Sequence, residues 1–300
     1  MKEGKASRTA DVTLVVRAIE MLRPENERVC NDPYSIAFLG GIYSIIAKIR
    51  FLIPARLLAN LLESYIERIC PGVIGTLWAR NRCIDEYLRE CIDDGIQQLV
   101  ILGAGYDSRA YRFDKLKNNV RAFEVDHPST QKVKTNKVRR IFGSLTHHVA
   151  YVPVDFNIEK LDEKLFENGY NPNLKTLFIW EGVTMYIPAE AVDETLSFVT
   201  DNSGVGSSII FDYTLKSVAD GTCEMEGAKE SRRIAASRGE PYIFGIEDGT
   251  IEEFLSQRNF YKVNNKTYES LRDMYFREER RSQKVNGFAR VVHATVKPRE

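Results

Sequence analysis

Leu99-Val100-Ile101-Leu102-Gly103-Ala104-Gly105-Tyr106-Asp107-Ser108-Arg109 is an apolar run that breaks into Gly-x-Gly. A short apolar run bounded by a turn signal predicts a buried strand. The two glycines let the chain turn tightly and let a ligand approach the backbone. A dinucleotide fingerprint would place a third glycine at Ser108, so a nicotinamide cofactor fits this turn less well.

Downstream of this turn, β-rich runs alternate with helical stretches. They lie at Arg121–Val125, His148–Val152, Thr176–Ile179 and Ser208–Phe211. Strands separated by helices predict right-handed crossovers and a parallel sheet. Phe260–Thr267 and Ala289–Val296 read as two late strands joined by a polar loop, an antiparallel hairpin at the sheet edge. Upstream the period is helical, with Val12, Val15, Val16, Ile19 and Leu22, then Ile84, Tyr87, Leu88 and Cys91. The expected division is a helical cover over 1–94 and an α/β unit over 95–300, with an inserted helix and loop around 216–245 near the mouth of the site.

Polar residues recur where the strands end. Asp126 closes the second run about 20 residues beyond the glycine turn, where an acid accepts hydrogen bonds from ribose hydroxyls. Its structural role would be to cap the next helix. Asp155 ends the third run, and a carboxylate there matches an adenine amino group. Glu181 follows the apolar Phe178-Ile179-Trp180, where an unpaired carboxylate is costly and a cation should stand nearby. A cofactor ammonium is one such cation. Four successive strand ends thus carry groups suited to one molecule bearing both an adenosine and an amino acid.

Composition bounds the partners. The chain has 300 residues, 42 Lys+Arg and 42 Asp+Glu, so its net charge is zero. That argues against a generic nucleic-acid binder and against disorder. The basic stretch Lys115–Arg140 lacks interleaved aromatics and reads as a solvated helix face. Five cysteines without CxxC spacing suit a reducing, cytoplasmic interior. The four histidines form no metal spacing with them, so no metal is expected. The polar N-terminus lacks a signal-peptide core. Ile36–Ile66 is the most apolar stretch, but Lys48, Arg50, Pro54 and Arg56 interrupt it. A pair of amphipathic helices split near Pro54 is expected there rather than a membrane span, as ordinary core or as a cover over an apolar pocket.

The sequence resembles the S-adenosylmethionine-dependent methyltransferases of the leucine carboxyl methyltransferase superfamily, and within it the microbial O-methyltransferases that include polyketide-tailoring enzymes. The resemblance rests on Ser7-Arg8-Thr9-Ala10, Arg17-Ala18, Asp32-Pro33, Ala79-Arg80, Leu102 through Arg112, Glu124-Val125-Asp126, Glu181-Gly182-Val183 and Gly239-Glu240-Pro241. It implies a Rossmann-like class I α/β fold: a mostly parallel seven-stranded sheet with an antiparallel last strand, plus an N-terminal helical cover. It implies S-adenosylmethionine as cofactor. Gly103, Ala104 and Gly105 would line its methionine part, and Asp126 would bind the ribose. Asp155 and the backbone at Phe156 would hold the adenine. Glu181 would lie near the amino group. Arg80 would reach the carboxylate, which a guanidinium fork suits, with Arg17 assisting. A surface ion pair to Asp85 or Glu86 is the structural alternative for Arg80.

The family's protein-carboxyl enzymes carry an arginine after the adenine-binding pair, where this chain has Asn157. That favours a small-molecule acceptor over a protein C-terminus. The acceptor is expected to be a small, apolar carboxylate or hydroxyl compound. Tyr186 could touch it or pack on the cofactor. His127 is expected to be structural, and no catalytic base is named. A nucleotide-dependent oxidoreductase, a protein carboxyl methyltransferase and a non-catalytic binding protein are the alternatives. Oligomeric state stays open.

Overall fold

A computed structural model describes residues 8–40, 54–155 and 158–298. Seven strands form one sheet: β1 Gln98–Leu102, β2 Arg121–Asp126, β3 Val149–Pro153, β4 Thr176–Trp180, β5 Ser208–Thr214, β6 Phe260–Thr267 and β7 Ala289–Val296. Their order is β3-β2-β1-β4-β5-β7-β6. Neighbours from β3 to β5 pair in parallel, while β7 pairs antiparallel with both β5 and β6.

The central strands are apolar on both faces because both faces are covered. Leu99 and Ile101 of β1 join a core with Trp78, Ile84 and Leu88 of the Val73–Asp93 helix. Val100 and Leu102 point into the opposite core with Phe123, Phe178, Leu196 and Leu255. The helices before β1 therefore share one apolar cluster with the sheet. Trp78 ties them further, its indole N–H donating to the Val16 carbonyl at 2.9 Å. Around Pro54 the helices Ser35–Leu39 and Ala55–Ile69 are present. The apolar segment 41–53 between them lies outside the described residues. No described helix is long and apolar enough to cross a membrane.

The late strands differ from a simple hairpin. β7 inserts between β5 and β6, which makes β6 the edge. Their connection is not merely a polar loop, because it contains the helix Tyr268–Tyr275. Thr267 caps this helix by accepting from Ser270 N, and Tyr268 and Leu271, three residues apart, are fully buried. That spacing supplies the inward face a short helix needs.

After β5 come two helices, Lys216–Asp220 and Ala228–Ser237, followed by a loop. The amides of Ile243 and Phe244 both donate to the Met185 carbonyl. The segment thus lies against the turn Thr184–Tyr186 that follows β4.

Candidate active site

Strand order reverses between β1 and β4, and the carboxyl ends of such strands frame the crevice where open α/β sheets bind ligands. Gly103 leaves β1 at φ 68° and Gly105 follows at φ 42°, both in the left-handed region. A Cβ on Gly103 would stand 2.5 Å from Cγ2 of Val183. The loops after β1 and β4 therefore approach each other only because that side chain is missing. Ala104 is buried between the two glycines, and its amide donates to Val125 O at 2.9 Å.

Asp126 turns back toward this loop. Its carboxylate accepts from Gly105 N at 2.5 Å and from His127 N at 2.7 Å. Burial pushes the Asp126 carboxyl above its ordinary value, against these two amide bonds. The helix that follows is not capped by Asp126. His127 caps it, with Nδ1 accepting from Ser129 N at 3.2 Å. Asp126 is thus held, partly buried, against the glycine turn. Asp155 sits past β3, with His127 Nε2 3.9 Å from its carboxylate and Glu159 receiving its amide. Phe156 and Asn157, and with them the expected backbone contact at 156, lie outside the described residues.

Glu181 and Arg80, expected at the two charged ends of an amino acid, are in direct contact. Arg80 Nε donates to Glu181 Oε1 at 2.9 Å, and Arg80 Nη1 donates to Asp212 Oδ2 at 2.6 Å. Arg80 is 6% exposed, so the surface pairing with Asp85 or Glu86 is not found. Asp85 instead holds Arg109 and Arg112. The second oxygen of Glu181 receives Arg109 Nη1 at 2.7 Å. Burial opposes ionisation of Glu181, but Arg109 and Arg80, backed by Arg17, outweigh it and hold the carboxyl well below its usual range. Arg17 itself pairs with Asp32 at 3.0 Å and donates to Tyr106 O at 2.9 Å. It therefore braces the glycine turn from the cover.

Three participants were missed in the sequence: Arg109, Asp107 and Asp212. Arg109 and Asp107 lie in the glycine-turn motif, where the sequence alone assigns them no role. Asp212 had a readable signal, a lone acid after Ile209-Ile210-Phe211 in a buried strand. Its Oδ1 accepts Gly182 N at 2.6 Å, and its carbonyl accepts Thr184 Oγ at 2.6 Å. It fixes the turn that carries Glu181. Tyr186 closes this turn, its ring 5.4 Å from that of Tyr242. Burial, with Tyr242 and Glu240 nearby, pushes the Tyr186 phenol far up, and burial pushes Tyr242 up to about 12. The basic stretch Lys115–Arg140 is mixed: Lys132, Arg139 and Arg140 are exposed, but Lys134 is wholly buried against Glu124.

These residues fit S-adenosylmethionine. The paired left-handed glycines form a cradle that a Cβ would fill, and a partly buried acid adjoins it. An acid and a guanidinium stand together across the crevice. Hydroxyl, ammonium and carboxylate groups are what such acids and guanidiniums can bind, although here Arg80 and Glu181 engage each other.

The leucine carboxyl methyltransferase family model matches residues 10–200. A Bacillus subtilis protein, YktD, provisionally named an S-adenosyl-L-methionine-dependent methyltransferase, is 29% identical over 221 residues, covering 73% of this chain and 72% of that one. A Mycobacterium avium protein with the same provisional name is 31% identical over 201 residues, 65% of each chain. In structure, a provisionally titled methyltransferase from Thermobifida fusca superposes with a TM-score of 0.57 at 14% identity, over 94% of this chain and 98% of that one. That likeness concerns the fold. The chain belongs to the leucine carboxyl methyltransferase family.

Proposed function

We propose that this S-adenosylmethionine-dependent methyltransferase delivers its methyl group to an oxygen of a small, largely apolar acceptor. The bound cofactor supplies a sulfonium methyl already activated for displacement. What remains for the chain is to bind, align and exclude water. In this reading Gly103, Ala104 and Gly105 line the methionine part and Asp126 accepts from the ribose. Asp155 and the backbone at Phe156 take the adenine, and Glu181 and Arg80 take the amino-acid end.

The observation that carries the oxygen reading is the Tyr186–Tyr242 pair. A phenol of ordinary pKa near 10 is already protonated at neutral pH and burial pushes both of these higher, so each keeps an O–H that can donate. A donor suits an oxyanion acceptor. A carboxylate is already ionised at pH 7 and needs no base. An amine acceptor would instead require a group to take its proton. Asn157, where the protein-carboxyl enzymes have arginine, supports a small molecule. The apolar Ile36–Ile66 stretch supports an apolar body for it.

The cofactor assignment is tested by calorimetry on Asp126→Ala and Glu181→Ala, each expected to weaken binding of S-adenosylmethionine sharply. Unchanged affinity in both would remove the site. The acceptor is tested by incubating a metabolite extract with methyl-labelled cofactor. A labelled ester or ether is expected, and an exclusively N-methylated product would overturn the oxygen reading.

A further inference from the structure

Beyond the carboxyl end of β5, a hollow of about 360 Å³ opens between the helices Lys216–Asp220 and Ala228–Ser237. Its floor is apolar, with Val218, Ala228 and Tyr242. Its rim is cationic, with Lys229, Arg232 and Arg233. The three cations stand at i, i+3 and i+4 and so share one face of their helix. Among the described residues, none of the three has a carboxylate within 4.0 Å. The residues lining the hollow thus include three cations and no acid.

The surrounding backbone holds this face open. Ser231, on the other side of the helix, packs into the cover with its hydroxyl 3.4 Å from Cys70 Sγ. Gly221 sits at φ 80°, and a Cβ there would stand 3.0 Å from Arg232 Nη1. The missing side chain leaves room for the guanidinium over the turn.

None of the residues lining the hollow is a candidate for cofactor contact. Tyr242 nevertheless belongs to both places, since its ring lies against Tyr186 at the end of the β4 turn. We propose that the hollow is a subsite for a second, anionic group of the acceptor, remote from the oxygen that is methylated. The acceptor would be an amphipathic organic anion. Its carboxylate or phosphate meets the Arg232–Arg233–Lys229 face, its apolar shank lies on Val218, Ala228 and Tyr242, and its reacting oxygen reaches past Tyr186. Guanidinium forks suit planar or tetrahedral oxyanions, and the apolar floor contributes by burial. This inference rests on the methyltransferase reading for the direction of the acceptor, but not for the binding of the anion.

The test is calorimetric titration of the intact protein with decyl phosphate, decanoate and, as a control, decyltrimethylammonium. Saturable binding of one or both anions is expected, and comparing the two tells phosphate from carboxylate. Arg232→Gln/Arg233→Gln should weaken that binding about tenfold or more, roughly 1.4 kcal/mol. Lys229→Gln alone, at an exposed position, should weaken it less while leaving the fold untouched. S-adenosylmethionine affinity should stay unchanged in all variants. Equal anion affinity in wild type and in Lys229→Gln and Arg232→Gln/Arg233→Gln, or equal binding of the cationic control, overturns the subsite. Failure of the wild type to bind S-adenosylmethionine while anion binding persists would instead count against the methyltransferase reading.

Discussion

Arg109 Nη1 stands 2.7 Å from Glu181 Oε2, and the Arg109 side chain has no exposed surface. The same guanidinium donates through Nε to Asp85 at 2.8 Å and through Nη1 to Asp107. One buried cation thus serves three acids from the Val73–Asp93 helix, the glycine turn and the β4 end. Removing it leaves Asp107 without its cation and takes one of two guanidinium partners from Asp85 and Glu181, which Arg112 and Arg80 still hold. Breaking a buried pair from one side is costly. Arg109→Met is expected to lose about 3–5 kcal/mol of stability in urea unfolding. Arg109→Lys should recover only part of it, because a point charge cannot reproduce the fork. A loss under about 1 kcal/mol for Arg109→Met would show that the acids are solvated or protonated instead.

That network also explains which parts of the site were legible in the sequence. The strands were readable because each is a short apolar run between turn signals, and Asp126 and Glu181 were readable because they end such runs. Partner choice was not. Arg80 and Glu181 were each expected to face a ligand, yet they face each other, a relation set by how a cover helix crosses the end of β4. The Tyr268–Tyr275 helix escaped notice because polar residues surround its two buried contacts, Tyr268 and Leu271. The unpaired cations of Ala228–Ser237 were visible only as charge. Their distance from every described carboxylate is a property of the fold.

His293 gives a pH dependence with a definite sign. It lies on β7 with its ring stacked 4.5 Å from that of Tyr87, and its Nε2 is buried with no hydrogen-bond partner among the described residues. Burial, with Lys266 nearby, lowers its pKa from 6.5 to about 4. Between those values the unfolded chain binds a proton that the folded chain refuses. Stability should therefore fall as pH drops from about 6.5 toward 4, by at most about 3 kcal/mol from this group. His293→Asn should flatten that part of the urea-midpoint profile. An unchanged slope in the variant would assign the acid sensitivity to other groups.

Gly103 is tested by adding a single methyl. Gly103→Ala places a Cβ 2.5 Å from Val183 Cγ2 and imposes φ 68° on a residue that disfavours it. The expected loss is about 1–3 kcal/mol, with weaker S-adenosylmethionine binding because the loops after β1 and β4 must part. Val183→Ala in the same chain relieves the clash but not the backbone strain. The double variant should therefore regain part of the stability lost, read as the unfolding midpoint. If it regains none, the strain and not the contact sets the cost.

Lys134 and Glu124 form a wholly buried ion pair at 2.9 Å beneath the same turn. Lys134 Nζ also lies 3.3 Å from the Ala104 carbonyl, and the Tyr111 hydroxyl donates to Glu124 at 2.9 Å. The ammonium thus bridges β2 to the glycine loop from below. Lys134→Met strands the Glu124 carboxylate and should cost about 3–5 kcal/mol. Glu124→Gln in addition removes the stranded charge, so the double variant should be more stable than Lys134→Met alone by about 1–3 kcal/mol. Because Ala104 sits between Gly103 and Gly105, both variants should also bind S-adenosylmethionine more weakly, the double one included. Urea unfolding and calorimetry on the same three proteins separate the effects. Full recovery of cofactor affinity in the double variant would mean that the pair acts only through stability and does not position the turn.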